Sequence, residues 1–154
     1  MSDKARELLE LFYLPEAIYL REIVGYSAKK KMAIASFLVP FSATYTSVEV
    51  EYVGAEQYIR CINQLAYVLC CMLVDNNAVE LPRTTLDFLA RNNRLLDRAH
   101  CLRYRMTAKG VLFRINIRID KCGVLRDKFL TCKMSVSGPV YGTVEFVAPL
   151  NNKG

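Results

Sequence analysis

The chain has 154 residues, 53% of them hydrophobic and 23% charged, with a formal net charge of +6. That length fits a single domain over 1–154 with one core, burying roughly 68–70% of the unfolded surface, and no Ser/Gly/Pro tract or single-sign charge block marks a disordered tail. The only histidine, His100, excludes a mechanism needing two imidazoles and a metal site built on several histidines.

The start, MSDKARELLELFYLPEA, carries charge on both sides of its leucines and has no small-residue cleavage site after an apolar run. It does not read as a signal peptide, and a cytoplasmic location is expected. Leu8, Leu9, Leu11, Phe12 and Leu14 fall near helical spacing, which predicts a short helix over 3–14 that Pro15 stops. The segments 17–27 and 31–39 are rich in Ile, Val, Tyr and Phe around the basic turn Lys29-Lys30-Lys31, and read as a hairpin. Residues 42–53 read as a loop or short strand.

The stretch AEQYIRCINQLAYVLCCMLV, about 55–74, is long and apolar, with Asn63 and Gln64 in its middle and no Gly or Pro. Its length is what a bilayer demands, but Glu56, Gln57, Arg60, Asn63 and Gln64 make it a poor span and a good buried central helix. An unpaired amide in a dry interior costs on the order of 1–3 kcal/mol. Asn63 therefore either bonds to neighbouring backbone or faces a pocket where something else bonds to it.

After this helix DNNAVELP is a break, and TTLDFLARN reads as one or two helical turns. Four strands should follow. Val111, Phe113, Ile115, Ile117 and Ile119 alternate with polar residues, the mark of a half-buried antiparallel strand. Lys109-Gly110 reads as a hairpin turn pairing it with 95–106, Lys121-Cys122-Gly123 as a turn toward 126–137, and Ser137-Gly138-Pro139 as the turn into 140–148. Cys61, Cys70, Cys71, Cys101, Cys122 and Cys132 show no CxxC or Cys/His spacing, so they indicate neither a zinc site nor a redox motif. They read as small buried hydrophobes, reduced in a cytoplasmic setting.

These patterns together predict an α+β hotdog fold, an antiparallel sheet wrapped around one long central helix. A single open sheet leaves an edge, so a homodimer at least is expected.

The segment YVGAEQYIRCINQLAYVL, above all Asn63-Gln64-Leu65-Ala66-Tyr67, resembles the central helix of the FcoT-like thioesterase family of hotdog proteins. Tyr19-Leu20 with Tyr26-Ser27-Ala28, Leu96-Asp97-Arg98-Ala99 through Arg103-Tyr104-Arg105, and Gly142-Thr143-Val144-Glu145-Phe146 extend the likeness over roughly residues 8 to 150. The resemblance implies an enzyme acting on acyl thioesters of coenzyme A (acyl-CoA) or an acyl carrier protein (acyl-ACP). The reaction implied is thioester hydrolysis, or conjugate (Michael) addition of an amine such as glycine to a 2-enoyl thioester. No cofactor or metal is implied. The family pattern before the helix, approximately His-Phe-Asn-x-x-Glu, aligns with Tyr52, Val53, Gly54 and Gln57, so its proton-handling residues are replaced here.

On this basis the candidate catalytic residues are Asn63, Glu56, Tyr45 and Tyr52, and the candidate substrate-binding residues Tyr13, Gly54, Gln57 and Tyr67. Asn63 would contact the thioester or its attacking nucleophile, or else be a buried amide satisfied by loop backbone. Gln64, about 100° around the helix, reads as structural. Glu56 would be a general base raised by apolar surroundings, or else a first-turn carboxylate favouring the helix dipole. Tyr13, Tyr45 and Tyr52 would donate hydrogen bonds to a carbonyl or carboxylate. Gly54 would let backbone approach a ligand or serve the turn. Between Arg83 and Lys133 there are 13 Lys/Arg and 4 Asp/Glu, a basic surface that suits an acidic carrier protein or the phosphates of coenzyme A. Nucleic acid ranks lower, because no binding motif accompanies the basic strands. A hotdog dehydratase or hydratase, and a non-catalytic acyl-carrier binding module, are the alternatives; the first usually pairs a histidine with a carboxylate, and His100 is far from the helix entrance in sequence.

Overall fold

The computed structural model describes residues 2–43, 50–79 and 98–149. Helix α1 (Ser2–Glu10) and a 3-10 turn (Pro15–Ala17) precede strands β1 (Leu20–Ser27) and β2 (Met32–Phe37). Helix α2 (Ala55–Asp75) follows, and then β3 (Arg98–Tyr104), β4 (Phe113–Leu125), β5 (Phe129–Ser137) and β6 (Val140–Pro149). The six strands form one antiparallel sheet in the order β1-β2-β4-β5-β6-β3, so the class is α+β with one main helix.

Side-chain period builds the core. Ala33, Ala35 and Phe37 of β2, Phe113, Ile115, Ile117 and Ile119 of β4, and Leu130, Cys132, Met134 and Val136 of β5 alternate buried with more exposed neighbours. The register lines them up across strands: Ala35 faces Ile115, Ile117 faces Val136, and Ile119 faces Met134. Helix α2 presents Tyr58, Cys61, Ile62, Leu65, Leu69 and Leu73, all buried and falling on one stripe at i, i+3, i+4, i+7, i+11 and i+15. Each such aliphatic side chain contributes about 1.5–3 kcal/mol on burial. Of the described helices, α2 is long and apolar enough to cross a membrane, yet 78% of its apolar window is buried inside the protein. Its apolar surface is covered by the chain's own core.

The first hairpin and the turn before β6 form as the sequence predicts. Gly138 has φ +142°, and a Cβ there would lie 2.5 Å from the Arg114 carbonyl oxygen, so only glycine fits that turn. Helix α1 is shorter than expected and ends at Glu10. One pairing and one turn differ from expectation. Lys109-Gly110 is not a hairpin turn: β3 pairs with β6, while β4 lies between β2 and β5. Lys121-Cys122-Gly123 is not a turn either, because β4 runs on to Leu125 through an irregularity at Ile119/Lys121. The chain reverses at Arg126 and Asp127, both with φ 53°, closed by Lys128 N–H donating to Leu125 O. The reading of TTLDFLARN as helical turns, and the side chain of Cys101, fall outside the described residues.

Candidate functional site

The entry to α2 is assembled from three stretches of chain. Gly54 is its N-cap, at φ −87° and ψ 167°, an extended conformation open to any residue. The Gly54 N–H donates to Gln57 Oε1 at 2.8 Å, so Gln57 closes the N-terminus from within the first turn. The Gln57 amide then donates through Nε2 to the Ala43 carbonyl at 2.6 Å. Lys109 Nζ donates to that same oxygen at 2.8 Å.

Lys109 is only 2% exposed. Among the described residues no carboxylate pairs with it. A buried ammonium and the amide ends of α2 thus bring positive potential to one corner of the molecule, where an anion or a developing oxyanion is favoured. The segment carrying Lys109 is fixed by backbone: Val53 N–H donates to Thr107 O, Lys109 N–H to Glu51 O, and Gly110 N–H to Val39 O. The Tyr58 hydroxyl completes the clamp, donating to Arg105 O at 2.9 Å and lying 2.6 Å from Thr107 Oγ1. Tyr52 forms an isolated bridge with Ala108 and is 44% exposed.

A cavity of about 420 Å³ opens beside this corner, lined by Glu16, Ala17, Tyr19, Ser42, Ala43, Glu56, Gln57 and Arg60. Glu56 and Arg60 are one helical turn apart, and Arg60 Nη2 lies 3.0 Å from Glu56 Oε1. Arg60 Nη1 donates to the Tyr19 hydroxyl at 3.0 Å, and the guanidinium sits 5.4 Å from the centre of the Tyr19 ring. Burial raises the Tyr19 and Tyr13 phenols above their ordinary value of 10.0, with the Arg60 charge opposing it in both. Both rings therefore stay neutral donors at physiological pH. Glu56 stands in the first turn of α2, exposed and ion-paired.

Asn63 lies two turns further along, within about 20° of the direction of Glu56 on the helix wheel. It is 4% exposed, and its Oδ1 is buried with no hydrogen-bond partner among the described residues. Gln64 is the fully satisfied amide: Oε1 accepts from Tyr19 N–H at 3.0 Å and Leu20 N–H at 3.2 Å, and Nε2 donates to Ala17 O at 2.7 Å. It staples the start of β1 to α2. Tyr67, buried one turn beyond Asn63, takes an edge-on contact from Phe12 at 5.5 Å.

The structure thus brings Glu56 and Gln57 to one cavity, with Gly54 capping the helix beside them. Asn63 and Tyr67 lie deeper on the Glu56 stripe, and Tyr52 stands on the neighbouring bridge. Tyr45 lies outside the described residues. Sequence reasoning missed Lys109, hidden in what looks like a turn, and did not single out Arg60 or Tyr19. The Glu56/Arg60 spacing of four was a findable signal. Among the described residues no group of three or more His, Cys, Asp or Glu side chains is arranged to hold a metal ion. Neither a protein-family model nor a curated protein sequence matches the chain.

Proposed function

We propose that this chain is a hotdog-fold, cytoplasmic enzyme that acts on acyl thioesters carried by coenzyme A or an acyl carrier protein, and that it works as a homodimer. The carrying observation is the unpaired Oδ1 of buried Asn63, on the helix stripe that leads away from the cavity at the start of α2. A buried acceptor without a donor destabilises a fold by about 1–3 kcal/mol, and a nucleophile bearing O–H or N–H relieves it. Water fits that description, and so does an amine.

The rest of the corner suits the same chemistry. In hydrolysis, water attacks the thioester carbonyl carbon, negative charge grows on its oxygen, and the carbon–sulfur bond breaks to release the thiol. In conjugate addition, the amine attacks the β-carbon of an enoyl thioester and the charge again moves to that oxygen. Either charge is stabilised by helix-terminal amides and by the Lys109 ammonium. Arg60 at the cavity attracts the phosphates or acidic carrier that deliver the acyl group.

Incubation with saturated and 2-enoyl acyl thioesters, with and without glycine, tests the reading through thiol release and adduct mass. Release or adduct is the expected result; neither, at any chain length and with either carrier, ends the enzymatic reading. One observation favours a second reading: the Glu56 carboxylate is tied to Arg60 rather than free to move protons. Retention of an acylated carrier without turnover selects that binding module.

A further inference from the structure

At the other end of α2 a pair of thiols faces across two strands. Cys122 of β4 is registered directly opposite Cys132 of β5, and their sulfurs are 2.9 Å apart, within about 1 Å of a disulfide bond length. Cys132 is buried whereas Cys122 is exposed, which corrects the expectation that all six cysteines are buried hydrophobes. Directly opposed residues of an antiparallel pair already hold their Cβ atoms near the separation a disulfide needs.

We propose that Cys122 and Cys132 form a reversible dithiol–disulfide pair, oxidised to a cross-strand disulfide by low-molecular-weight disulfides. Cys122 is the attacking group, because it is the one solvent reaches. The hydrogen bond from Cys132 holds the Cys122 thiol below its ordinary value of 9.0, against its partial burial and with help from the Lys31 charge. That same hydrogen bond, then burial, keeps Cys132 protonated. An accessible thiol with a lowered pKa, near a lysine charge and beside a protonated partner, is the environment of a reactive cysteine.

The steps balance. The Cys122 thiolate attacks one sulfur of RSSR, forming Cys122–S–S–R and releasing one thiolate, RS⁻. Once Cys122 carries no charge, Cys132 loses its proton to solvent and attacks the Cys122 sulfur, expelling the second RS⁻. The pair is oxidised by two electrons, RSSR is reduced to two RSH, and the two thiol protons of the pair end on them. The proposal does not depend on the acyl-thioester reading.

The test uses the whole reduced protein and oxidised glutathione at neutral pH. Tryptic cleavage should yield the peptide Cys122–Arg126 linked to Phe129–Lys133, and dithiothreitol should separate them. Cys132→Ser, or Cys132→Ala if the serine variant fails to fold by circular dichroism, should stop at a glutathione adduct on Cys122. Cys122→Ser should take up neither modification. Iodoacetamide should alkylate Cys122 about tenfold or more faster than Cys61, Cys70 or Cys71 in the folded protein. A glutathione adduct on Cys122 of the parent protein without cross-link overturns the proposal, as does reaction only after unfolding.

Discussion

Two adjacent amides on α2 have opposite roles at the residue scale, and substitution separates them. Gln64 holds two backbone N–H groups and one carbonyl, so Gln64→Ala leaves three buried polar groups without that partner. Urea unfolding should show a loss on the order of 3 kcal/mol. Asn63→Leu instead removes an acceptor that has no partner among the described residues and keeps the volume close. Its melting temperature should stay level or rise, while thiol release or adduct formation is lost. A clear fall in melting temperature would mark Asn63 as a structural amide and count against its place in the site. The sequence pointed to both residues, since polar amides inside an apolar helix demand partners. It did not reveal Lys109, because a lysine followed by glycine reads as an exposed turn. Lys109 is buried where the segment after β3 meets the loop after β2 at the Ala43 carbonyl.

At the element scale, local patterns identified the strands and the β1–β2, β4–β5 and β5–β6 neighbours, but not the place of β3. The alternation from Val111 to Ile119 marks a half-buried strand whichever strand lies beside it, and β4 finds β2, more than 70 residues earlier at every registered pair, rather than β3. Helix α2 follows β2 in the chain, and β3 after it pairs with β6 at the sheet's far edge rather than with β4. The β4 extension past Asp120 was equally hidden, because Lys-Cys-Gly looks like a turn. Asp120 there has a testable role. Burial raises its carboxyl, but hydrogen bonds from Ser135 and Arg118 and the charges of Arg118 and Lys133 outweigh it, and the group sits below 3.8. A carboxyl depressed in the folded state adds stability above its unfolded value, and that stability is lost as pH falls through the folded one. The melting temperature of Asp120→Asn should therefore lie below that of the parent protein by a constant margin between pH 7 and pH 5. Below about pH 4 the margin should close; a margin that persists into acid would assign the effect to packing.

At the scale of the whole molecule, the sheet formed by the described residues ends in β1 and β3, each paired on one side only among those residues, and unpaired strand edges seek partners. Beside the β3 end, Phe41, Tyr52, Tyr104, Met106, Val111 and Leu112 stand exposed. The three segments that carry them are tied together by the Tyr52–Ala108 bridge and by Gly110 N–H donating to Val39 O. Apolar side chains gathered at the entry to α2 suit a second copy packed across a two-fold axis, with about 800 Å² buried on each protomer as a stable dimer needs. Sedimentation or light scattering should then report twice the mass of the 17.5 kDa chain. Met106 and Leu112 are the most exposed apolar residues of this group after folding, at 77% and 63%, so Met106→Lys with Leu112→Lys should shift the mass toward the monomer without altering the circular dichroism. Charge already present on Arg103 and Arg105 adds to the repulsion those lysines create. A parent protein that sediments as a monomer at micromolar concentration would sink the dimer.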